Sequence, residues 1–181
     1  MIKALDALDF LEQSAAYLTV DVRSEGEFAY GHIPHAISLP LFNNAERASI
    51  GTTYKQTSSQ EAILQGLDIV GPKMSGFIRF VQPLVKDNKI FVHCWRGGMR
   101  SGSMAWLFNQ FGYEVYTMRG GYKAYRRLVL DTLAAPYKYI VLGGRTGTGK
   151  TDTLKVLEKA GEQVIDLEGL ARHKGSAFGM L

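Results

Sequence analysis

The sequence predicts an α/β protein in which a parallel β-sheet has helices on both faces and is followed by the start of a second α/β unit. Three observations lead to this prediction. Short apolar segments alternate with helix-like segments, and two glycine-rich loops each stand between an apolar segment and a helix-like one. The step Ala134-Ala135-Pro136 marks a boundary, so we predict one domain over residues 1–135 and the beginning of another over 137–181.

Each element of the first domain is predicted from its hydrophobic pattern. Strands are expected at 17–22, 36–39, 89–93 and 114–118, where short apolar runs stand between turn-forming residues. Helices are expected at 4–15, 59–67, 101–111 and 121–134. Between residues 77 and 85 apolar side chains recur at helical spacing, but Pro83 conflicts with a helix there because it lacks a backbone donor.

The second domain begins with one βαβ unit. Strands are predicted at 139–142 and 163–167, on either side of a helix at 150–160. Because about 45 residues bury too little surface to be stable alone, we expect this domain to be cut short or to be completed by another chain.

Composition limits the class of protein. With 46% apolar and 21% charged residues among 181, the chain has the make-up of an ordinary globular protein. A net charge of +4 is compatible with a nucleic-acid or phosphate partner. The single cysteine excludes an intramolecular disulfide and fits a cytoplasmic location, and the lack of a long apolar run predicts no membrane span.

A cysteine stands directly after the predicted strand at 89–93. Gly97 and Gly98 allow a tight turn whose N–H groups point inward, and the following helix adds the partial positive charge of its N-terminus. Arg96 and Arg100 add two full charges, so we predict Cys94 to be a thiolate nucleophile. The predicted anion-binding loop consists of Trp95, Arg96, Gly97, Gly98, Met99, Arg100 and Ser101.

Three interpretations of this loop remain open. A lone cysteine at a strand end is often only structural. The spacing His93-Cys94-x5-Arg100-Ser101 is also typical of cysteine phosphatases. Upstream, residues 21–36 (DVRSEGEFAYGHIPHA) together with the loop resemble the rhodanese family, in which the cysteine carries a persulfide. The loop is one residue longer than in a simple sulfurtransferase, which suggests a pocket sized for a phosphate-like group.

A second loop matches the phosphate-binding pattern G-x4-G-K-[ST] in full. It consists of Gly144, Arg145, Thr146, Gly147, Thr148, Gly149, Lys150 and Thr151. In this motif the backbone N–H groups hold phosphate oxygens, the lysine reaches a terminal phosphate, and the last hydroxyl can bind Mg²⁺. Asp166 is a candidate second magnesium ligand or, equally, a helix cap.

Tyrosines and cations alternate between residues 113 and 139, a combination that single-stranded RNA binding uses. Arg119, Lys123 and Arg127 are therefore candidate RNA contacts. An amphipathic helix that packs its tyrosines and exposes its charges would give the same pattern, and we favour that interpretation for most of these residues.

Four segments together resemble the tRNA 2-selenouridine synthase family: residues 41–56 (LFNNAERASIGTTYKQ), 94–101 (CWRGGMRS), 120–124 (GGYKA) and 166–179 (DLEGLARHKGSAFG). The resemblance spans nearly the whole chain and stops where the family's P-loop domain would continue.

This resemblance implies a transferase that replaces the 2-thio sulfur of a tRNA wobble uridine with selenium. Selenophosphate and geranyl diphosphate would be substrates, a geranylated thio-uridine an intermediate, and Cys94 the residue needed for the selenium step. No tightly bound cofactor is expected. A selenophosphate-producing enzyme is a candidate partner, and the P-loop ligand could be geranyl diphosphate, an RNA phosphate or a nucleotide. A rhodanese-fold phosphatase, a generic sulfurtransferase and a non-catalytic RNA-binding module remain as alternatives.

Overall fold

The computed structural model describes residues 1–145 and 147–172, and their contacts divide the chain into two compact units, Met1–Ala135 and Pro136–Leu181. Among these residues no helix combines the length and the hydrophobicity that crossing a membrane requires.

The first unit contains a five-stranded sheet in which every pair of neighbouring strands is parallel. Its strands are β1 (Ile2–Leu5), β2 (Leu18–Asp21), β3 (Ile37–Ser38), β4 (Lys89–His93) and β5 (Glu114–Met118), in the order β1-β5-β4-β2-β3. The helices are α1 (Ala7–Ser14), α2 (Glu25–Tyr30), α3 (Asn44–Gln56), α4 (Ser59–Val70), α5 (Met74–Val81), α6 (Met99–Gln110) and α7 (Gly121–Ala134). The predicted α/β fold with a parallel sheet is thereby confirmed.

Alternate side chains of the sheet enter two separate hydrophobic clusters, one on each face. On one face Ile90 and Val92 of β4 lie in a cluster that includes Val81 of α5 and Met104 of α6. On the other face Phe91 lies in a cluster that also includes residues of α1 and α7. A strand buried on both faces reads as a continuous apolar run, which is why β4 was recognisable from the sequence.

Three elements of the first unit were not predicted. The segment 4–15, expected as one helix, contains the end of the edge strand β1 and then α1, which begins after the N-cap Asp6. Neither α2 nor α3 buries a single residue, so neither leaves an apolar stripe in the sequence. The conflict at Pro83 is resolved because α5 ends at Val81, two residues before the proline.

The second unit contains α8 (Lys150–Lys159) and α9 (Leu167–Leu170). The strands predicted at 139–142 and 163–167 are not formed in the described part of this unit. A parallel strand receives its hydrogen bonds from neighbouring strands, and the sheet contains only strands of the first unit.

The carboxyl ends of the parallel strands lie at one edge of the sheet, where ligands of open α/β sheets usually bind. At this edge β4 is followed by Cys94, β2 is followed by residues 22–24, and β5 is followed by Arg119 and Gly120, which lead into α7. The predicted nucleophile therefore lies at the centre of the edge, between the neighbouring strands β2 and β5.

Candidate active site

Cys94 is the first residue after the central strand β4, and only 3% of its surface is exposed. The glycine-rich loop leads from it to α6, which begins at Met99 and whose N-cap is Gly98. The sequence-predicted loop residues therefore form one continuous turn between the strand and the helix.

The first turn of α7 fixes the orientation of this loop. The N–H of Tyr122 donates to the Cys94 carbonyl at 2.8 Å, and the N–H of Lys123 donates to the Trp95 carbonyl at 3.0 Å. In a trans peptide the N–H points away from the C=O. Because the Trp95 carbonyl faces α7, the N–H of Arg96 in the same peptide faces the other way, toward the sulfur.

Two glycines make this close approach possible. A Cβ on Gly97 would contact the Met118 carbonyl, and a Cβ on Gly121 would contact the Cys94 carbonyl and lie 2.6 Å from the Gly97 nitrogen. Both glycines also have positive φ values, +67° and +57°, which L side chains rarely adopt. The loop and α7 can therefore pack backbone against backbone only with glycine at both positions.

The pKa of the Cys94 thiol lies below its ordinary value. Burial is the largest influence and raises the pKa, but hydrogen bonds to the sulfur from the Ser101 hydroxyl and from the backbone N–H groups of Ser101, Arg96 and Gly98 outweigh it. The Ser101 Oγ lies 3.2 Å from the Sγ and donates to the Gly98 carbonyl at 3.1 Å. A hydroxyl has one hydrogen, so it can donate to the sulfur instead once the thiolate forms.

A carboxylate between two guanidinium groups sets the charge beside the loop. Arg100 Nη1 donates to Glu27 Oε2 at 2.7 Å, and Arg47 Nε lies 3.0 Å from the same oxygen. Burial raises the pKa of Glu27, but the hydrogen bond and charge of Arg100 lower it below its usual value. This triad of two cations and one anion keeps one net positive charge, and the exposed Arg96 adds another.

Glu27 forms its ion pair with Arg100, a residue of the anion-binding loop. The capping box of α2 holds it there, since its Oε2 also accepts from the N–H of Ser24 at 3.2 Å. Asp21 and Arg23, from the same sequence segment, form a fully buried ion pair at 2.6 Å. Arg23 also lies 3.8 Å from the centroid of the Tyr122 ring, so the pair supports the α7 side of the loop.

His93, which directly precedes Cys94, is completely buried. Burial is the largest influence on its pKa and lowers it from 6.5 to about 4. The ring is therefore neutral at pH 7, and it does not add a positive charge beside the thiolate.

A cavity of about 1200 Å³ opens beside Cys94. Its lining is largely apolar and comes from α3, α4 and α6, and it includes Trp95 of the loop and Trp106 of α6. Arg47 of α3, Arg96 of the loop and Arg100 of α6 also border it.

In the second unit, the P-loop folds around its lysine. Gly149 adopts a φ of +76° as the N-cap of α8. The ammonium of Lys150, the first residue of that helix, donates to the carbonyls of Gly144 and Arg145 at 2.9 and 3.0 Å. Thr148 Oγ1 also donates to the Arg145 carbonyl, at 2.8 Å. An ammonium has three donor hydrogens, so these contacts, among the described residues, leave one for a phosphate.

The P-loop also contains Gly147 and Thr151. Gly147 has a φ of +84°, Thr151 is exposed on the first turn of α8, and Thr146 lies outside the described residues.

Asp166 is the N-cap of α9 and accepts from the N–H of Gly169 at 3.0 Å, which favours the helix-cap interpretation over that of a magnesium ligand. Over residues 1–145 and 147–172, no group of His, Cys, Asp and Glu side chains is arranged to hold a metal ion.

The three candidate RNA contacts are all exposed, but they differ in their surroundings. Arg119 stands just before α7, and Lys123 is in the first turn of α7, where its backbone N–H braces the Cys94 loop. Arg127 forms an exposed ion pair with Asp131 at 2.9 Å. Tyr122 of α7 is buried, as the amphipathic interpretation expected, and Tyr113 and Tyr116, which lie before and within β5, are buried as well.

Sequence reasoning missed two features of the site. Arg47 lies 47 residues before Cys94, on a helix that no apolar pattern revealed, so its contact with Glu27 left no local signal. The Gly120-Gly121 pair, recognised only as part of a family resemblance, is the element that lets α7 approach the loop.

Two family models match the chain. Residues 4–128 match the rhodanese-like domain, and residues 137–181 match the tRNA 2-selenouridine synthase AAA domain.

Relatives that match most of the chain are named tRNA 2-selenouridine synthase. The tRNA 2-selenouridine synthase of Hydrogenovibrio crunogenus is 42% identical over 174 residues, which cover 88% of this chain and 46% of the relative. That of Sulfurovum sp. is 41% identical over 166 residues, which cover 88% of this chain and 44% of the relative. The chain thus spans about half the length of the curated relatives it matches. The resemblance drawn from the four sequence segments is confirmed.

A solved structure supports the fold of the first unit. It is the N-terminal domain of a protein described as ATP/GTP binding from Clostridium difficile 630, which is 39% identical. The similarity covers 72% of this chain and 99% of that one, with a TM-score of 0.62.

Proposed function

Because the chain belongs to the rhodanese-like family and continues into the AAA domain of tRNA 2-selenouridine synthases, we propose that it takes part in replacing the 2-thio sulfur of a tRNA wobble uridine with selenium. Selenophosphate is the selenium donor, and a geranylated thio-uridine, made from geranyl diphosphate, is the intermediate. Cys94 acts in the selenium step.

One observation carries the assignment of Cys94: a buried sulfur receives the N–H groups of Arg96, Gly98 and Ser101, which hold its thiol pKa down. Such inward N–H groups bind the oxygens of a tetrahedral anion as well as they stabilise a thiolate. The loop therefore supports a nucleophile and an oxyanion at one place, and selenophosphate is such an oxyanion.

The balance of electrons determines which atom of the Se–P bond the thiolate attacks. Attack on selenium would expel phosphorus with the electron pair and reduce it to phosphite. Attack on phosphorus forms the S–P bond, breaks the Se–P bond and releases selenium with its electron pair as a selenolate. The second course needs no reductant, so we assign phosphorus as the target.

The full sequence then balances. The selenium of selenophosphate adds at C2 of the S-geranylated base, and geranylthiol leaves. The Cys94 thiolate attacks the phosphorus of the resulting selenophosphoryl base and releases selenouridine. Water hydrolyses the phosphocysteine to inorganic phosphate and restores the thiolate. Arg96 and Arg100 neutralise the phosphoryl oxygens, and Glu27 positions the second of these guanidiniums.

For the P-loop we propose the diphosphate of the prenyl donor as the ligand. The Lys150 ammonium lies within the loop and can reach a phosphate oxygen, and Thr151 would hold a Mg²⁺ ion there if the diphosphate brings one. For the tRNA, the exposed cations Arg119, Lys123 and Arg127 are proposed phosphate contacts. The ion pair of Arg127 with Asp131 is exposed and can exchange for a phosphate at little cost.

Cys94→Ser tests the proposed nucleophile. With S-geranylated tRNA and selenophosphate, we expect the variant to release geranylthiol but to accumulate the selenophosphoryl base, which mass spectrometry of the nucleosides identifies. Selenouridine formation at the wild-type rate would remove Cys94 from the reaction.

Lys150→Ala tests the P-loop, with Lys155→Ala on the exposed side of the same helix as the control. We expect the first variant to lose geranylation of thiolated tRNA while it still selenates tRNA that was geranylated beforehand, and the second to keep both. The reverse pattern for Lys150→Ala would refute the assignment.

The Cys-x5-Arg spacing favours a second candidate function, a cysteine phosphatase. That function predicts rapid phosphate release from an aryl phosphate without tRNA, lost in Cys94→Ser. Comparing this rate with that of selenium transfer to thiolated tRNA separates the two.

A further inference from the structure

We infer that the apolar cavity beside Cys94 binds the prenyl chain that the substrate base carries on its sulfur, so that it holds the leaving thiol during the selenium step. This inference rests on the proposed function and specifies where the substrate's apolar group lies.

The lining of the cavity is unusual for a surface in water. Ile63 and Leu67 of α4 and Trp106 of α6 are 38%, 63% and 52% exposed, and all three line the same space. Contiguous exposed hydrophobic side chains typically mark a binding site rather than ordinary surface. An aliphatic chain is the ligand that such walls desolvate without leaving polar groups unpaired.

The distribution of charge specifies an amphipathic ligand. The apolar walls come from α3, α4 and α6, and the same cavity is also lined by the cations Arg47 of α3, Arg100 of α6 and Arg96 of the loop. A molecule that places phosphate against the cations and an aliphatic chain against the walls satisfies both parts. An S-prenylated nucleotide meets this description, while an unmodified nucleotide would leave the apolar part filled with water.

Size and position agree with this occupant. The cavity of about 1200 Å³ is slightly larger than the roughly 300–1,000 Å³ of typical small-molecule sites, so a base and its chain fit together. Cys94 itself lines the cavity. The reacting end of the ligand would therefore lie at the thiolate, and its prenyl chain would lie along α4 and α6.

The protein contains its own fluorescent reporters for binding. It has two tryptophans, Trp95 and Trp106, and both line the cavity. Their fluorescence therefore measures binding directly, without selenophosphate and without turnover. The probes are two anticodon stem-loops that differ only in carrying S-geranyl- or S-methyl-2-thiouridine.

We expect the geranylated stem-loop to bind at least tenfold more tightly than the methylated one. Leu67→Gln should reduce this preference at least fivefold, because it puts an amide in the apolar wall. Leu64→Gln is the matched control: Leu64 lies on the same helix and is 54% exposed but does not line the cavity, so its variant should keep the preference.

Equal dissociation constants for the two stem-loops would overturn the inference. They are the result expected if another segment of protein fills the cavity, or if the prenyl chain binds only in the P-loop unit. Equal effects of the two leucine variants would overturn it as well. Failure of selenium transfer with the geranyl preference intact would instead sink the proposed function and leave the binding site standing.

Discussion

At the scale of single residues, the lowered pKa of the Cys94 thiol comes from hydrogen bonds and not from a neighbouring base. His93 precedes it but is neutral, and its ring packs edge-on against Phe10, on the opposite side of the sheet from Val92. The N–H groups and the Ser101 hydroxyl instead lower the thiol pKa against the opposing effect of burial.

Ser101→Ala should raise the pKa of the Cys94 thiol, because it removes the hydrogen bond that opposes burial most strongly. The pH dependence of alkylation by iodoacetamide measures this change, because only the thiolate reacts. The alkylation rate of the variant at pH 7 should therefore be lower than that of the unchanged protein. An identical profile would mean that the backbone N–H groups alone hold the thiolate.

His93 should make the first unit sensitive to acid. The unfolded chain binds a proton at this residue below pH 6.5, whereas the folded protein does so only near pH 4. The unfolded state therefore holds more protons between these values, and stability falls as the pH falls through this window. From pH 7 to pH 5 we expect a loss of about 2 kcal/mol.

Urea unfolding followed by tryptophan fluorescence measures this loss, since both tryptophans lie in the first unit. His93→Gln lacks the titrating group, so its stability should be lower overall but flatter between pH 7 and pH 5. The same slope in both proteins would assign the acid sensitivity to another group.

At the scale of elements, α7 does more than cover the sheet. Two N–H groups of its first turn, which a helix N-terminus leaves without partners, are satisfied by the carbonyls of Cys94 and Trp95. This contact turns the loop peptides so that their N–H groups face the sulfur, and it requires the backbone approach at Gly97 and Gly121.

Gly121→Ala should therefore damage the site and the fold together. The new Cβ would meet the loop backbone, and alanine disfavours a φ of +57°. We expect a loss of about 2 kcal/mol or more in unfolding free energy and a raised Cys94 thiol pKa.

Gly102→Ala is the control on α6, where a Cβ would meet nothing within 4 Å. It should stabilise the protein by about 0.5–1 kcal/mol and leave the thiol pKa unchanged. If both variants behaved alike, the brace by α7 would not control the loop.

The elements that could be predicted are those whose burial leaves a pattern. The residue bounds of β4, β5 and α7 agree with the prediction, since both strands are largely buried and α7 buries Gly121 and Tyr122 at its start. The exposed α3 and the edge strand β1 carry none, and β1 is held by its pairing with β5, a contact over a hundred residues away.

The same distinction holds for the site. The Cys94 loop was visible because its residues are contiguous, and so was the P-loop. The triad of Glu27, Arg47 and Arg100 joins three distant segments, and its partners are fixed only by the folded chain.

At the scale of the whole molecule, we expect the first unit to fold alone. All five strands and both hydrophobic clusters lie within Met1–Ala135. A fragment of residues 1–135 should unfold cooperatively and keep the lowered Cys94 thiol pKa, which calorimetry and the alkylation profile would measure. A fragment that is unfolded, or that has an ordinary thiol, would show that the second unit contributes to the site.

Because the sequence contains a single sulfhydryl, at the centre of the site, a covalent intermediate on sulfur can be identified from the mass of the protein. An adduct on sulfur that survives rapid quenching adds its mass at one known position. The weight of the undigested polypeptide then tells a phosphorylated intermediate from a selenium-loaded one, and no second thiol competes for the label.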